Sequence, residues 1–514
     1  MPRPRGSFSA PEQADMFASA PPVEEKPGRK WTDEQQAIFA DRKHGDDDVI
    51  VEARAGTGKT TTIVQAMASS GKRGRKLLTA FNVSAQRDLQ TKLGEAGVAS
   101  AEARTLNSLG YGACYQQLGR VEVDEDKGFM IAMDLVGNEK QKAAPVSKLA
   151  RLGKITLAST LEELEDLADR FDIDCPFGQP DKGLLAKAAL AAMEAAKQKL
   201  ETIDFDDQLW LPWVFDLNPK GFDEVYCDEV QDLNPAQVDL VLKARRRGAR
   251  FCAIGDPMQA IYGWRAADDA MGKIRERLGA RTLKLTTTFR CARRIVDEAR
   301  KLVPDYRSME GAPDGVVEEV PNWTMRKRAR PGDFVLSRAN APLVGLCIAF
   351  AKEGRRASVQ GRDIGAKLQT IVKKSKAGTP EELRTWVDDW KAKEVKRLEA
   401  RGRSTDLVTD AAACIHAFCE GARSVQEVTR IIDDAFDDDP SKGDKIVLST
   451  VHRAKGLERD RVWLLKGTFK TALGSVGRGG EFFGGEQEKL PTQEELNILY
   501  VAITRAKREL YYVT

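Results

Sequence analysis

The sequence lacks the features that would place it in a membrane or around a structural metal. Its eight cysteines include no C-x-x-C pair, and scattered cysteines fit a reducing compartment. The cluster Cys414, His416 and Cys419 has neither a fourth ligand nor metal-type spacing, which favours helix packing. No apolar run approaches the ~18 residues that span a bilayer, and the N-terminus has no apolar core of a secretion signal. We therefore expect a cytoplasmic protein with no membrane partner.

The chain also lacks a strong charge of either sign. Its 81 lysines and arginines face 78 acidic residues, so the overall balance indicates no class of partner. Basic clusters at 243–250, 326–330 and 373–376 either contact phosphates or form solvated faces. A chain of 514 residues is too long for one ordinary core and suggests roughly two to four domains.

Short apolar strands alternate with helices along most of the chain, which predicts parallel sheets covered on both faces. The predicted strands are 47–53, 76–81, 223–229, 250–256, 282–289, 333–338, 445–451, 461–466 and 509–514. We expect an α/β protein with two doubly wound parallel-sheet domains, each with a helical insertion. The predicted segments are a disordered tail (1–30), the first domain (31–109 and 203–282) with its insertion (110–202), and the second domain (283–354 and 443–514) with its insertion (355–442).

The stretch VEARAGTGKTTTIV, residues 51–64, has the form of a phosphate-binding loop between a strand and a helix, although an alanine stands where the strict pattern has its first glycine. Gly56 and Gly58 flank the turn whose backbone amides must face a phosphate. Lys59 stands at the helix N-terminus, where the amide dipoles favour an anion. Thr60 adds a hydroxyl suited to Mg²⁺. The loop therefore predicts a nucleotide site.

A second element, VYCDEVQD at 225–232, places Asp228 and Glu229 at the end of an apolar strand. One carboxylate at a strand end can hold Mg²⁺, directly or through water. The next can orient and deprotonate an attacking water. An acidic pair alone is usually a solvated turn, but with the loop it favours a site that hydrolyses ATP or GTP.

Six motifs then occur in the order found in one enzyme family: AGTGKT, CDEVQDLNPAQ, IGDPMQAIYGWRAA, TFR, STVHRAKGLE and LYVAITRAK. In this respect the chain resembles superfamily 1 DNA helicases of the UvrD/Rep/PcrA type. The resemblance runs through residues 31 to 514 and is weak in the two helical insertions. It implies two RecA-like domains, ATP and Mg²⁺ as cofactors, and movement in the 3′ to 5′ direction on single-stranded DNA.

The resemblance assigns roles within the nucleotide site. Gln35 would hydrogen-bond adenine, Phe289 would stack on it, and Glu458 would contact the ribose. The implied ATP-binding residues are Gln35, Ala55, Gly56, Thr57, Gly58, Lys59, Thr60, Thr61, Phe289 and Glu458, and the implied metal ligands are Thr60 and Asp228. The implied catalytic residues are the base Glu229, the γ-phosphate sensor Gln259 and the arginine fingers Arg290 and Arg505.

A second set of residues matches the DNA channel of the family. Aromatic side chains there stack on bases without regard to sequence, at ~1–3 kcal/mol per base. The implied DNA-binding residues are Phe81, Thr105, Tyr262, Trp264, Arg265, Thr450 and His452. For Trp264 the alternative is core packing. Two positions depart from the family pattern: Asn107 replaces a histidine, and Arg54 puts a bulky cation where the family usually has a small residue.

The pentapeptide QADMF, residues 13–17, resembles the peptide by which bacterial polymerases and repair proteins bind the sliding clamp. Gln13 would hydrogen-bond in one pocket, and Met16 and Phe17 would fill another. A chance occurrence of five residues is the alternative. The peptide indicates a bacterial or phage-infected host cytoplasm.

Taken together, the sequence predicts a DNA-stimulated ATPase that moves on single-stranded DNA and unwinds tailed duplexes in replication, repair or recombination. One alternative is a translocase that displaces proteins from single strands without processive unwinding. A nucleotide-gated scaffold is another, but all the implied catalytic side chains are present. A small-molecule kinase gives no role to the second domain.

Overall fold

The computed structural model of the chain describes residues 30–171, 173–177, 182–261, 269–400, 405–436, 444–469 and 492–514. The candidate clamp peptide with Gln13, Met16 and Phe17, and the candidate DNA residues Tyr262, Trp264 and Arg265, lie outside these residues.

The helices of the described chain are α1 Asp33–His44, α2 Lys59–Ser69, α3 Val83–Glu95, α4 Leu106–Leu118, α5 Lys127–Leu135, α6 Lys140–Thr156, α7 Leu161–Arg170, α8 Lys182–Gln198, α9 Phe205–Val214, α10 Pro235–Lys243, α11 Ala270–Leu278, α12 Arg293–Arg300, α13 Asn322–Arg328, α14 Ala341–Lys352, α15 Arg362–Ser375, α16 Pro380–Glu399, α17 Asp406–Cys419, α18 Val425–Ala435, α19 Val451–Ala454 and α20 Gln493–Ile503.

The strands of the described chain are β1 Val49–Ala53, β2 Lys76–Ala80, β3 Ala101–Thr105, β4 Glu122–Val123, β5 Thr202–Ile203, β6 Phe222–Cys227, β7 Arg245–Gly255, β8 Arg281–Leu285, β9 Thr287–Thr288, β10 Arg307–Ser308, β11 Val316–Val320, β12 Phe334–Ser337, β13 Ala357–Val359, β14 Ile446–Thr450, β15 Arg459–Leu465 and β16 Ala506–Val513.

Two six-stranded sheets form the framework. Their strand orders are β3-β2-β6-β7-β1-β8 and β11-β16-β15-β12-β14-β13, and neighbouring strands in both are parallel. This arrangement confirms the predicted α/β class with two parallel-sheet domains. We call the described chain up to Leu285 lobe 1 and the chain from Thr286 onward lobe 2.

Each sheet is covered by apolar side chains on both faces, as parallel sheets require. In β1, Ile50 packs into the cluster on one face, while Val49 and Val51 pack into the cluster on the other. In β12, Val335 and Leu336 divide in the same way between the two clusters of lobe 2. Alternate residues of a strand point to opposite faces, so these central strands are apolar throughout.

Both lobes carry helical insertions. In lobe 1, α5 to α8 pack with α4 and α9 around an apolar core that includes Leu149 and Trp210. In lobe 2, α15 to α18 share one continuous core with the sheet, which includes Leu383 and Phe418. Cys414 and Cys419 are buried in that core, which agrees with their interpretation as packing residues.

One predicted boundary differs from the structure. The segment division separates residues 282 and 283, whereas β8 runs across this point and pairs with β1 along its whole length. The first sheet therefore extends to Leu285. In the second insertion, β13 lies within predicted segment 355–442 and joins the second sheet beside β14.

Among the described residues, no helix combines the length and the apolar character needed to cross a bilayer. Within the same ranges, no group of three or more histidine, cysteine, aspartate or glutamate side chains is arranged to hold a metal ion.

Candidate nucleotide site between the lobes

The loop after β1 begins a strained turn that only glycine adopts at low cost. Gly56 and Gly58 have φ angles of 69° and 77°, in the left-handed region that side chains disfavour. A β-carbon on Gly56 would lie 2.5 Å from both Arg290 Cβ and Thr288 Oγ1 of lobe 2. The Thr57 hydroxyl closes the turn by donating to the Arg54 carbonyl at 2.9 Å. The loop is therefore shaped by its own backbone and by the opposite lobe.

A cavity of about 330 Å³ opens in front of this loop. Lobe 1 and lobe 2 both line it, so the cavity lies at their junction. Its lining residues are Gly56, Gly58, Lys59, Thr60, Thr61, Glu229, Phe289, Arg290 and Glu458. The structure thus brings together residues from four separate motifs that sequence analysis assigned to one nucleotide.

Thr60, which lines the cavity, contacts Asp228. The Thr60 hydroxyl donates to Asp228 Oδ2 at 3.0 Å. Burial and the neighbouring Glu229 carboxylate raise the pKa of Asp228 to about 6. A hydroxyl and a carboxylate oxygen are ligands that Mg²⁺ prefers, usually with waters and substrate phosphates completing its shell. This donor set fits the predicted magnesium site.

Glu229 is held as a charged group beside the loop. Its φ of 49° is left-handed, and Gln231 Nε2 donates to its carboxylate at 2.7 Å. Burial alone would favour the neutral acid, but Lys59, Gln231 and Lys455 outweigh it and lower the pKa of Glu229. An ionised carboxylate at this position can accept a proton from water.

Gln35 and Phe289 lie on the other side of the loop, near Gly58. The distances from a β-carbon built on Gly58 are 3.7 Å to Gln35 Nε2 and 4.0 Å to the Phe289 ring. Gln35 Nε2 donates to Thr62 Oγ1 at 2.9 Å, and the Phe289 side chain is 43% exposed. An amide and an open ring face at this edge suit recognition of a base.

The two candidate fingers approach from lobe 2 but make protein contacts in this structure. Arg290 forms an ion pair with Glu458, and Glu458 also lies 3.1 Å from Lys507 Nζ. Arg505 is buried and donates to the carbonyls of Val501 and Leu457 at 3.0 and 3.2 Å.

Burial and the nearby Arg290 lower the pKa of Arg505 to about 10. The Arg505 side chain does not line the cavity, although its charge contributes to lowering the pKa of Glu229. Arg290 therefore lines the cavity, whereas Arg505 is buried and does not line it.

Gln259 lies at the end of β7, held in place by a buried acid. Its Nε2 donates to Asp256 Oδ2 at 2.7 Å, and its carbonyl accepts from Lys455 Nζ at 2.7 Å. The same lysine reaches both Asp232 oxygens at 2.8 and 2.7 Å. Since Lys455 belongs to lobe 2, these bonds tie the candidate phosphate sensor to both lobes.

The candidate DNA residues of lobe 1 follow the carboxyl ends of its strands. Phe81, after β2, is 52% exposed. Thr105, at the end of β3, is buried and caps α4 by accepting from the Ser108 amide. Phe205 is a further candidate that the sequence interpretation did not include: it is 49% exposed, and its carbonyl accepts from Asn107 Nδ2 at 2.8 Å. The surrounding sequence IDFDDQ, with an aromatic beside three acids, was the available signal.

Buried ion pairs fix the start of α9, where Phe205 lies. Lys154 Nζ lies 2.7 Å from Asp207 and 3.0 Å from Asp204, and Lys127 Nζ lies 2.6 Å from Asp207. Charges this deeply buried are tolerated only when paired in this way. The Phe205 side chain therefore projects from the start of α9, which these ion pairs hold in place.

In lobe 2, Thr450 ends β14 and is buried. His452 follows in α19, where burial and Arg338 lower its pKa to about 4. A neutral imidazole is thus expected at neutral pH. The predicted DNA contacts of these residues stay predictions.

Two family models match the chain. The UvrD/REP helicase N-terminal domain matches residues 31–272, and the UvrD-like helicase C-terminal domain matches residues 367–514. These matches together cover well over half of the chain. The chain therefore belongs to the UvrD/Rep/PcrA family of superfamily 1 helicases.

Individual relatives are more distant. F-box DNA helicase protein 1 of Schizosaccharomyces pombe is 25% identical over 542 residues, which covers 95% of this chain and 58% of that protein. ATP-dependent DNA helicase PcrA of Staphylococcus aureus is 29% identical over 126 residues, covering 23% of this chain and 17% of that protein. The chain thus spans less than two-thirds of the length of these relatives.

Among solved structures, the arterivirus nonstructural protein 10 helicase is 10% identical with a TM-score of 0.35, covering 94% of this chain and 61% of that one. A score this low supports no argument about function.

Proposed function

We propose that the protein is a DNA-stimulated ATPase that moves 3′ to 5′ on single-stranded DNA and unwinds duplex DNA. The observation that carries this proposal is the shared cavity, in which the Lys59 loop of lobe 1 faces Arg290 and Glu458 of lobe 2. A nucleotide held by both lobes links its own hydrolysis to their relative position.

In this proposal the side chains divide the chemistry of hydrolysis. Lys59 and the loop amides bind the phosphates, and the Glu229 carboxylate orients a water and accepts its proton. Arg290 leaves Glu458 to meet the γ-phosphate, with Arg505 supporting it. Thr60 and Asp228 would hold a magnesium ion, which would neutralise phosphate charge.

Hydrolysis removes the phosphate that both lobes hold, so the lobes can separate and close again around the next nucleotide. Exposed rings such as Phe81 and Phe205 would hold bases during this cycle by stacking. Separating one base-pair step costs ~1.4 kcal/mol on average, which one ATP per nucleotide can supply.

The main test measures ATP hydrolysis with and without single-stranded DNA, then strand separation on duplexes with a 3′ or a 5′ tail. We expect stimulation by DNA and unwinding only from the 3′ tail, with Lys59→Ala as the inactive control. No stimulation, or unwinding only from the 5′ tail, would contradict the proposal. Hydrolysis and protein displacement without strand separation would instead favour a translocase that clears proteins from single strands.

We also propose that residues 13–17 tether the protein to a sliding clamp, a proposal supported by the sequence pattern alone. Deleting these residues should abolish co-purification with a bacterial clamp while hydrolysis stays unchanged. Unchanged co-purification would end this part of the proposal.

A further inference from the structure

Arg54 lies inside the phosphate loop but makes its contacts away from the cavity. Its side chain is only 10% exposed. Nε and Nη2 of its guanidinium each donate to one carboxylate oxygen of Asp305 at 2.8 Å. A bidentate pair of this kind is among the stronger side-chain contacts. Since Asp305 belongs to lobe 2, the pair joins the loop to the opposite lobe.

Two tyrosines of lobe 2 hold the next residue of the loop. The Tyr306 hydroxyl donates to the Ala55 carbonyl at 2.9 Å, and the Tyr500 hydroxyl accepts from the Ala55 amide at 3.0 Å. The two rings also pack edge to face, with centroids 5.8 Å apart. Lobe 2 therefore forms hydrogen bonds with both Arg54 and Ala55, which lie in the first half of the phosphate loop.

A second acid lies within reach of Arg54, and it belongs to lobe 1. Asp256 Oδ1 is 3.5 Å from Arg54 Nη1, and no described residue accepts a hydrogen bond from this buried nitrogen. Asp256 is fully buried. Its Oδ2 accepts from Gln259 Nε2, and its Oδ1 accepts from the Met258 amide at 3.1 Å. Arg54 therefore lies beside Asp256, the acid that positions the candidate phosphate sensor Gln259.

We propose that Arg54 is a positioning residue that divides its charge between two acids as the lobes move: it pairs with both Asp305 and Asp256 in this structure, and with Asp256 alone when the lobes are apart. The inference rests on the proposed function, because it needs lobes that separate during the ATP cycle. Opening removes Asp305, and a buried guanidinium then needs another carboxylate. Asp256 is the acid already beside it.

The shift to Asp256 alone has a consequence for hydrolysis. When Arg54 turns fully to Asp256 Oδ1, it pulls this carboxylate toward itself and away from Gln259, which is bonded to the other oxygen, Oδ2. Gln259, the candidate phosphate sensor, then loses the contact that fixes its side chain. Hydrolysis would therefore be suppressed whenever the lobes are apart, which limits ATP turnover to the closed state.

The test is the variant Asp305→Asn, which keeps the shape of the partner but removes its charge. We expect the DNA-stimulated kcat to fall by about tenfold, an effect of ~1.4 kcal/mol on the barrier, while KM for ATP changes by less than about twofold. The matched control is Asp314→Asn, which removes the same charge from an exposed lobe 2 ion pair with Arg293 and should leave kcat unchanged.

The double variant Arg54→Ala/Asp305→Asn separates a positioning role from simple stabilisation. Without the guanidinium nothing pulls Asp256 away from Gln259, so kcat should recover to within about threefold of the unmodified protein. Assays run well below the melting temperature of each variant remove the contribution of unfolding.

Three outcomes would overturn the inference: a kcat for Asp305→Asn within about twofold of the unmodified protein, a double variant no faster than the single, or a loss confined to KM. An unmodified protein that fails to hydrolyse ATP would instead contradict the proposed function. If the unmodified protein responds to DNA but the variants lack the expected pattern, only the role of Arg54 fails.

Discussion

Replacing Gly56 with alanine tests whether the phosphate loop is fitted against lobe 2. The new methyl group would meet Arg290 Cβ and Thr288 Oγ1 at 2.5 Å, about 1 Å closer than ordinary contact. Both atoms lie in lobe 2, so relief requires the lobes to shift apart. Gly58→Ala is the matched control: its φ is equally left-handed, but its nearest neighbours would be 3.7 and 4.0 Å away.

Both variants lose stability through backbone strain, and only Gly56→Ala also loses stability through overpacking. A left-handed conformation costs an alanine ~1–2 kcal/mol, and this applies to both. Overpacking adds ~1–3 kcal/mol, and this applies to Gly56→Ala alone. We therefore expect a loss of unfolding free energy of ~1–2 kcal/mol for Gly58→Ala and ~2–5 kcal/mol for Gly56→Ala.

Thermal unfolding without nucleotide measures this difference, since 1 kcal/mol shifts the melting temperature of a domain of this size by ~2–4 °C. Gly56→Ala should also lose DNA stimulation of hydrolysis, because Arg290 is pushed from the cavity. Equal melting temperatures for the two variants would refute the claim that lobe 2 packs directly on the loop.

Other variants test the remaining assignments. Lys59→Ala and Glu229→Gln should both abolish hydrolysis, while equilibrium binding of a fluorescent ATP analogue should survive only in Glu229→Gln. Turnover by Glu229→Gln would show that Glu229 is not the base. Phe81→Ala should weaken the apparent affinity for single-stranded DNA in ATPase assays by ~1–3 kcal/mol and leave the basal rate unchanged. The control Leu407→Ala, at an 84% exposed position, should have no effect. Equal effects of the two variants would argue against stacking. Burial lowers the pKa of His452 to about 4, against ~6.5 when unfolded. The folded state favours the neutral imidazole, so the free energy of unfolding should fall as pH drops from ~6.5 toward 4, by up to ~1.4 kcal/mol per pH unit. Denaturation of His452→Gln should show a smaller dependence of this free energy on pH. An identical dependence would contradict the assignment.

The central strands of both sheets were predictable from sequence because burial on two faces makes them apolar throughout. Within the two six-stranded sheets, three strands were missed: β3, β11 and β13. All three lie at sheet edges, and β11, with the sequence VVEEV, is largely exposed or half-buried. An edge strand contacts one neighbour only and tolerates polar residues, so it gives little apolar signal.

The site was predictable where chemistry and local sequence coincide, as at Lys59 and Asp228. Arg290, Glu458 and Arg505 came only from family resemblance, because nothing local to their sequences indicates a nucleotide. The contacts on which the proposed role of Arg54 depends could not be inferred from sequence. Its partner Asp305 is 251 positions away in the sequence, and only the folded arrangement of two lobes brings them together.

The Glu458 carboxylate already pairs with the Arg290 guanidinium. The charge of this arginine is therefore neutralised before a substrate binds. A γ-phosphate that reaches Arg290 exchanges one anion for another, so binding gains only the difference between the two interactions. Groups with a single negative charge gain little from such an exchange, whereas a terminal phosphate carries more than one. In the proposed cycle the Glu458 carboxylate would therefore set a threshold for binding at Arg290 that a terminal phosphate passes and a singly charged group does not.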